Sequence, residues 1–158
     1  MKIKGIIDED FINYKKPSMY IAFPKCSFKC NKECGRAVCQ NSALAKEKDI
    51  EISINKIIER YINNPITKSI VCGGLEPLDS WNDLQCLIIN LRYFSNDDIV
   101  IYTGYNEKEL SKDKINFFES YAPIIVKYGR YIPNEDSYFN EELGVKLAGK
   151  NQYTVRYH

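Results

Sequence analysis

Residues 18–41 read SMYIAFPKCSFKCNKECGRAVCQN and join an apolar run to a group of cysteines. The run Ser18–Phe23 is short and ends at Pro24, a pattern that predicts a buried β-strand. Four of the chain's six cysteines follow, at Cys26, Cys30, Cys34 and Cys39. The segment therefore predicts a strand that leads directly into a thiol-rich loop.

The crowding of these thiols favours a metal or redox role over disulfides in a reducing cytosol. Three thiolates from one flexible loop can hold the corners of a cubane [4Fe-4S] cluster and leave the fourth iron free to bind a cofactor. Four thiolates could instead close a structural zinc site, although such sites usually contain Cx2C pairs, and the loop has none. Spacing alone leaves both interpretations open.

Apolar segments of alternating kind follow the cysteine loop. Helical spacing predicts helices over residues 53–62, over a segment that starts at Asp79 or Ser80, and over 107–121. Short apolar runs predict strands over residues 68–72, 99–102 and 123–127. The alternation favours parallel strands joined by helical crossovers. Residues 129–158 lack a clear period, and we expect a loop with one hairpin or edge strand.

Two further loops begin where a predicted strand ends, Gly73-Gly74-Leu75-Glu76-Pro77 and Thr103-Gly104. Ligands of parallel sheets collect at the carboxyl ends of the strands, so we expect these loops beside the cysteines. Glycines let backbone groups approach a ligand closely, and carbonyls with a carboxylate can hold an ammonium group.

The cysteine and glycine loops together resemble those of the radical S-adenosylmethionine (SAM) superfamily, whose signature is Cx3Cx2C and whose Gly-Gly-Glu-Pro element binds SAM. Cys26 and Cys30 match the first interval. Cys34 would give Cx3Cx3C, whereas Cys39 gives Cx3Cx8C with Val38 in the apolar position and Asn41 in the family's Cys-x-Asn ending. We favour Cys39 and treat Cys34 as a spare thiol. The resemblance implies cofactor contacts from these residues: Val38, Asn41, Gly73, Gly74, Glu76 and Pro77.

Later motifs resemble one family in particular, the activating proteins of anaerobic ribonucleoside-triphosphate reductases. Thr103-Gly104-Tyr105 looks like the TGY strand end of that family. Gly129-Arg130-Tyr131 and the Asn151-Gln152 pair are similar to its Gly-Lys-Phe and Gly-Ser-x-Asn-Gln elements. Cofactor contacts are implied for Thr103, Gly104, Asn151 and Gln152. Lys127 and Tyr128 stand where the family has an acidic residue, which is a departure.

The resemblance implies an α/β fold, a partial (incomplete) β/α barrel of the radical SAM type with mostly parallel strands. It also implies catalysis through a [4Fe-4S] cluster held by Cys26, Cys30 and Cys39. Reductive cleavage of SAM would give a 5′-deoxyadenosyl radical, which would generate a glycyl radical on a large partner, an anaerobic ribonucleotide reductase. The electron donor would be of the flavodoxin or ferredoxin type, and the protein would be oxygen-sensitive.

Composition sets the remaining expectations. The 158 residues fit a single domain, 1–158, and their formal net charge of +1 provides no field for binding nucleic acid or a membrane. No apolar run could span a bilayer, and acidic residues interrupt the N-terminal segment before a signal peptide could develop, so we expect a cytoplasmic enzyme. Two alternatives stay open: a compact radical SAM enzyme acting on a small molecule, like a 7-deazaguanine synthase, or a non-catalytic zinc or iron–sulfur binding module.

Overall fold

The computed structural model describes residues 1–158 and is built around one central sheet. The strands are β1 Lys2–Ile3, β2 Gly5–Asp10, β3 Ser18–Phe23, β4 Ile50–Glu51, β5 Ser69–Gly74, β6 Asp98–Tyr102, β7 Ile124–Tyr128, β8 Tyr138–Asn140, β9 Val145–Leu147 and β10 Tyr153–Tyr157. The α-helices are α1 Lys29–Cys34, α2 Ser42–Lys46, α3 Ile54–Asn63, α4 Trp81–Arg92 and α5 Lys112–Ser120. Short 3₁₀ turns span Pro77–Ser80 and Glu107–Glu109.

The central sheet has six strands in the order β10-β7-β6-β5-β3-β2. Its four inner strands, β3, β5, β6 and β7, are parallel, and β2 and β10 add antiparallel edges. Two small antiparallel pairs, β1 with β4 and β8 with β9, lie outside it. The chain is thus a mixed α/β protein with a mostly parallel sheet.

The inner strands are buried along nearly their whole length because helices cover one sheet face and a smaller cluster covers part of the other. On one face, alternate strand residues such as Ile21, Cys72 and Ile101 pack against α3, α4 and α5 in a core of 20 buried residues. The helix α3 begins at Ser53, whose side chain accepts a hydrogen bond from the Lys56 N–H at 3.2 Å.

The opposite face of the sheet carries no helix in its core. Val71, Val100 and Ile125 pack there against Tyr14 and against two residues of the C-terminal segment, Leu143 and Leu147. This smaller cluster covers only part of the face. The uncovered part, towards the carboxyl ends of the parallel strands, is open to form a site.

A charged network closes the other end of the sheet, where β6 begins. Asp98 is buried, and its carboxylate accepts hydrogen bonds from Tyr14 Oη at 2.8 Å and from Arg156 Nη1 at 3.0 Å. Lys16 completes the set of donors. Burial alone would raise the pKa of Asp98, but these hydrogen bonds outweigh it and hold the pKa at about 2.

Several elements differ from the expectations. The segment predicted as one helix over 107–121 contains a 3₁₀ turn and then α5, with Leu110 extended between them. Asp79 is not the N-cap of α4, since the cap is Ser80 and the Asp79 carboxylate binds other loops. Residues 129–158 hold both a hairpin, β8–β9, and an edge strand, β10. None of the helices is long and apolar enough to cross a membrane.

Candidate functional site

A cavity of about 330 Å³ lies where the parallel strands end. The loops that follow β3, β5, β6 and β7 all contribute to its wall. Nine residues singled out from the sequence line it: Cys26, Cys30, Cys39, Asn41, Gly74, Glu76, Thr103, Gly104 and Gln152. Parallel pairing explains this convergence, because it brings the carboxyl ends of neighbouring strands to one edge.

The first two thiols are held by the turn that starts α1. Phe28 precedes the helix with φ of 52°, in the left-handed region that side chains rarely adopt, and its N–H points to Cys26 Sγ at 3.2 Å. Cys30 lies in the first turn of α1. Cys34 ends the same helix and does not line the cavity.

Cys39 reaches the cavity through a loop closed by Asn31. Asn31 Oδ1 accepts hydrogen bonds from the backbone N–H of Val38 at 2.8 Å and of Cys39 at 2.9 Å. These bonds bring Val38 and Cys39 close to the first turn of α1, although the Cx8C interval separates Cys39 from Cys30 by eight residues. Because of this closure, Cys39 joins Cys26 and Cys30, and Cys34 stays outside.

The cysteine loop is tied directly to the glycine loop. Asn41 Nδ2 donates to Gly74 O at 2.6 Å, and the Glu76 N–H donates to Lys25 O at 2.7 Å. Asp79 adds a third tie, since its carboxylate accepts from the Ser27 N–H and from Tyr105 Oη. The thiols are therefore held in a fixed relation to the ends of β5 and β6.

Glu76 is the buried acid of the site. Its Oε1 accepts hydrogen bonds from Thr103 Oγ1 at 2.8 Å and from the Leu78 N–H at 3.1 Å. Its Oε2 accepts from the Gly104 N–H at 2.8 Å. Burial raises the pKa of Glu76 to about 7, although all three donors oppose the shift. Because Glu76 Oε2 accepts only the hydrogen bond from Gly104, it can accept another from a donor in the cavity.

Lys127 is the buried base of the site, and the sequence marked it only as a departure from the family pattern. It lies on β7 with 7% of its surface exposed, and Nζ donates to Gly129 O at 2.9 Å. Burial lowers its pKa to about 8, while the negative charges of Glu76 and Cys30 oppose the shift. Strand alternation could have identified Lys127 from the sequence. Residues two apart in a strand share a face, so Lys127 lies with Ile125 on the sheet face opposite the helices.

Four predicted cofactor contacts do not line the cavity: Val38, Gly73, Pro77 and Asn151. Gly73 lies within β5, where a Cβ would meet Tyr20 Oη at 2.9 Å, so its small size serves strand packing. Pro77 is buried in the 3₁₀ turn. Asn151 instead donates to Arg130 O at 2.8 Å, and the Val38 backbone is bound to Asn31. The cavity is also lined by residues to which the sequence assigned no cofactor contact, among them Tyr20, Tyr102 and Tyr131.

The donor set suits a cluster better than a single ion. Cys26, Cys30 and Cys39 line one cavity, which agrees with three thiolates around a cubane cluster. Only three of the four loop thiols line that space, and all six cysteines are free. A zinc site with four thiolates would need Cys34.

The walls also leave room for a bulky group. A Cβ at Gly104 would lie 3.6 Å from Glu76 Oε2 and 3.7 Å from Cys30 Sγ, so a side chain there would enter the cavity. Burial raises the pKa of Cys26 to about 11 and also raises that of Cys30. A coordinated cation would reverse this effect, because metal-bound thiols are deprotonated.

Comparison with known proteins gives a match to one family model. Residues 18–152 match the family model described as a 4Fe-4S single cluster domain. The matched range includes every candidate site residue named in this subsection. Searches of curated proteins and of solved structures return no match to this chain.

Proposed function

Because the chain belongs to the family of 4Fe-4S single cluster domains, we propose that it is a radical SAM enzyme that binds its cluster through Cys26, Cys30 and Cys39. The observation that carries the proposal is that these three thiols and the Gly74–Glu76 loop line one cavity. Three thiolates leave one iron of a cubane open, and the adjoining loop offers groups that suit an amino acid moiety.

The chemistry that such a cluster supplies, when bound and reduced, is one electron that splits SAM into methionine and a 5′-deoxyadenosyl radical. The protein's own part is to bind, orient and exclude water. Glu76 holds the β5 and β6 loops together through Thr103 and Gly104, and its second oxygen is able to accept a hydrogen bond from the methionine ammonium. Gly104 keeps the space between Glu76 and Cys30 free of side chains.

The proposal includes the fold, an incomplete barrel of the radical SAM type. In support, β3, β5, β6 and β7 are neighbours in chain order, and the connecting helices α3, α4 and α5 pack in one core on one face. Helices on a single face of a parallel sheet are the arrangement of β/α barrels, whereas doubly wound sheets have helices on both faces.

We further propose that the substrate is a glycine in a large partner protein, an anaerobic ribonucleotide reductase. Hydrogen transfer from the glycine Cα to the 5′-deoxyadenosyl radical would leave 5′-deoxyadenosine and a glycyl radical. Support comes from the cavity reaching the surface, since the exposed residues Gln40 and Lys146 are part of its wall. A loop of a partner could enter there and exclude water. The electron would come from a flavodoxin or ferredoxin.

Anaerobic reconstitution tests both the proposed cleavage of SAM and the proposed formation of a glycyl radical on a partner. The protein loaded with iron and sulfide, reduced with dithionite and given SAM, should form methionine and 5′-deoxyadenosine, and Cys39→Ala should form neither. Addition of a candidate reductase should then produce a glycyl radical doublet in the electron paramagnetic resonance (EPR) spectrum. A cluster-loaded protein that leaves SAM intact would contradict the proposed reaction. SAM cleavage without a doublet for any co-encoded reductase would restrict the proposal to a small-molecule substrate.

A further inference from the structure

We propose that Lys127 supplies a buried positive charge that raises the reduction potential of the iron–sulfur cluster. The inference needs the cluster-binding domain that the family match identifies and does not need SAM cleavage.

The ammonium of Lys127 is held inside the cavity wall by backbone oxygens alone. Nζ donates to Gly129 O at 2.9 Å and lies 3.5 Å from Thr103 O, and it forms no ion pair with a carboxylate. An ammonium carries three donors, so these two acceptors leave one unused. A buried charge without a counter-charge is costly, so this position is expected to have an anionic partner.

The cluster is the partner that the site offers. Lys127 and all three proposed thiolate ligands line the same cavity, together with the buried carboxyl group of Glu76. Three thiolates outweigh the positive charge of the cluster core, and reduction adds another negative charge. A fixed cation nearby therefore stabilises the reduced state more than the oxidised state, which raises the potential.

Other cations near the site are less suited to this role. Arg130 is paired with Glu109 at 2.6 Å and with Glu33 at 2.8 Å, so its charge is balanced. Lys146 also lines the cavity but is exposed to solvent, which screens its charge. Lys127 is a cation of the wall that is buried and has no carboxylate within ion-pair distance, although the carboxyl group of Glu76 lines the same cavity.

The test is an EPR-monitored redox titration of the reconstituted protein without SAM, comparing wild type with Lys127→Met, Lys127→Gln and Lys127→Arg. Loss of the charge should lower the ratio of reduced to oxidised cluster at a fixed applied potential roughly tenfold, which is about 59 mV for a one-electron couple. Lys127→Arg should restore most of the ratio. Lys146→Met is the matched control and should change the ratio much less.

An unchanged potential in Lys127→Gln, or an equal drop in Lys127→Arg, would overturn the inference. If Lys127→Met and Lys127→Gln both fail to take up iron but Lys127→Arg takes it up, the iron content itself supports a requirement for positive charge at this position. Failure of all three variants to load would instead assign Lys127 a structural role. Leaving SAM out of the titration keeps this result separate from the test of the proposed reaction.

Discussion

Asn41 Nδ2 donates a hydrogen bond of 2.6 Å to the carbonyl oxygen of Gly74, which joins the end of the cysteine loop to the end of β5. The two residues are 33 positions apart in the chain. The bond makes the position of Cys39 depend on the strand that carries the glycine loop. The donor must be the side-chain amide nitrogen of Asn41, because the carbonyl oxygen of Gly74 can only accept a hydrogen bond.

Asn41→Asp should therefore harm the centre more than Asn41→Ala. The aspartate would set a carboxylate oxygen against Gly74 O, whereas alanine only removes a bond worth about 1 kcal/mol. We expect iron content after anaerobic reconstitution to fall in the order wild type, Asn41→Ala, Asn41→Asp, measured as iron per chain after gel filtration.

Asn31 provides the matched control, because its side chain acts through the oxygen, accepting from the Val38 and Cys39 N–H groups. Asn31→Asp keeps that acceptor and should retain iron near the wild-type level, while Asn31→Ala should lose it. Equal loss for aspartate at both positions would contradict the assigned hydrogen-bond directions.

The four loop cysteines should separate into two groups. Ala at Cys26, Cys30 or Cys39 should abolish the cluster, seen as loss of the broad visible absorption and of acid-labile sulfide, because each lines the cavity. Cys34→Ala should load normally, since Cys34 ends α1 outside it. An active Cys39→Ala with an inactive Cys34→Ala would show that the Cx8C assignment is wrong.

Two glycines of the site should differ in what their replacement disturbs. Gly74 has φ of 83°, and a Cβ there would lie 2.8 Å from the Cα of Ala22 on β3, so Gly74→Ala should lower the unfolding free energy by about 1–3 kcal/mol. Gly104→Ala places its Cβ at ordinary contact distances and should stay within about 1 kcal/mol of wild type. Urea unfolding of the reduced, cluster-free protein measures both.

Gly104→Ala should nevertheless weaken SAM binding to the cluster-loaded protein severalfold, because its methyl group enters the space between Glu76 and Cys30. Equilibrium dialysis with the oxidised cluster measures this. Wild-type SAM affinity in Gly104→Ala would refute the proposed placement of the cofactor.

Asp98 should make the folded state sensitive to acid. Its folded pKa of about 2 lies below the ordinary value of about 3.9, so its contribution to stability is complete above the ordinary value and is lost as pH falls through the folded value. A shift of this size corresponds to at most about 2–3 kcal/mol, and solvent screening of the carboxylate reduces it. The unfolding free energy of the cluster-free protein should drop between about pH 5 and pH 2.

Asp98→Asn removes that titration while keeping the shape of the side chain. We expect lower stability at pH 7, because Lys16 and Arg156 lose their shared carboxylate, and a flatter pH profile in acid. A variant with the full wild-type slope would show that other carboxylates cause the acid sensitivity.

Local patterns predicted the parallel strands that position the site, but not α1, which carries Cys30 in the segment expected to be a loop. Ser18–Phe23 has the same bounds in the structure, and the strand expected over residues 68–72 is observed as Ser69–Gly74. Both follow from continuous apolar runs ended by Pro or Gly, which neighbouring residues alone encode. The N-terminal strand β2 was not predicted, because it is an edge strand with several acidic residues, GIIDED, and a broken register with β3.

The sequence by itself determined that strand ends, thiols and glycines alternate along the chain, and this is enough to predict that they meet at one edge of a sheet. Only the tertiary structure decided that Cys39 and not Cys34 borders the cavity, that Gly73 serves packing while Gly74 lines the site, and that Lys127 is buried beside the thiols. The physical reason is the sequence separation over which the interactions act. Periodicity and turn chemistry act between neighbours, whereas the Asn31 loop closure, the Asn41–Gly74 bond and the burial of Lys127 arise from contacts that exist only once the sheet and its loops are assembled.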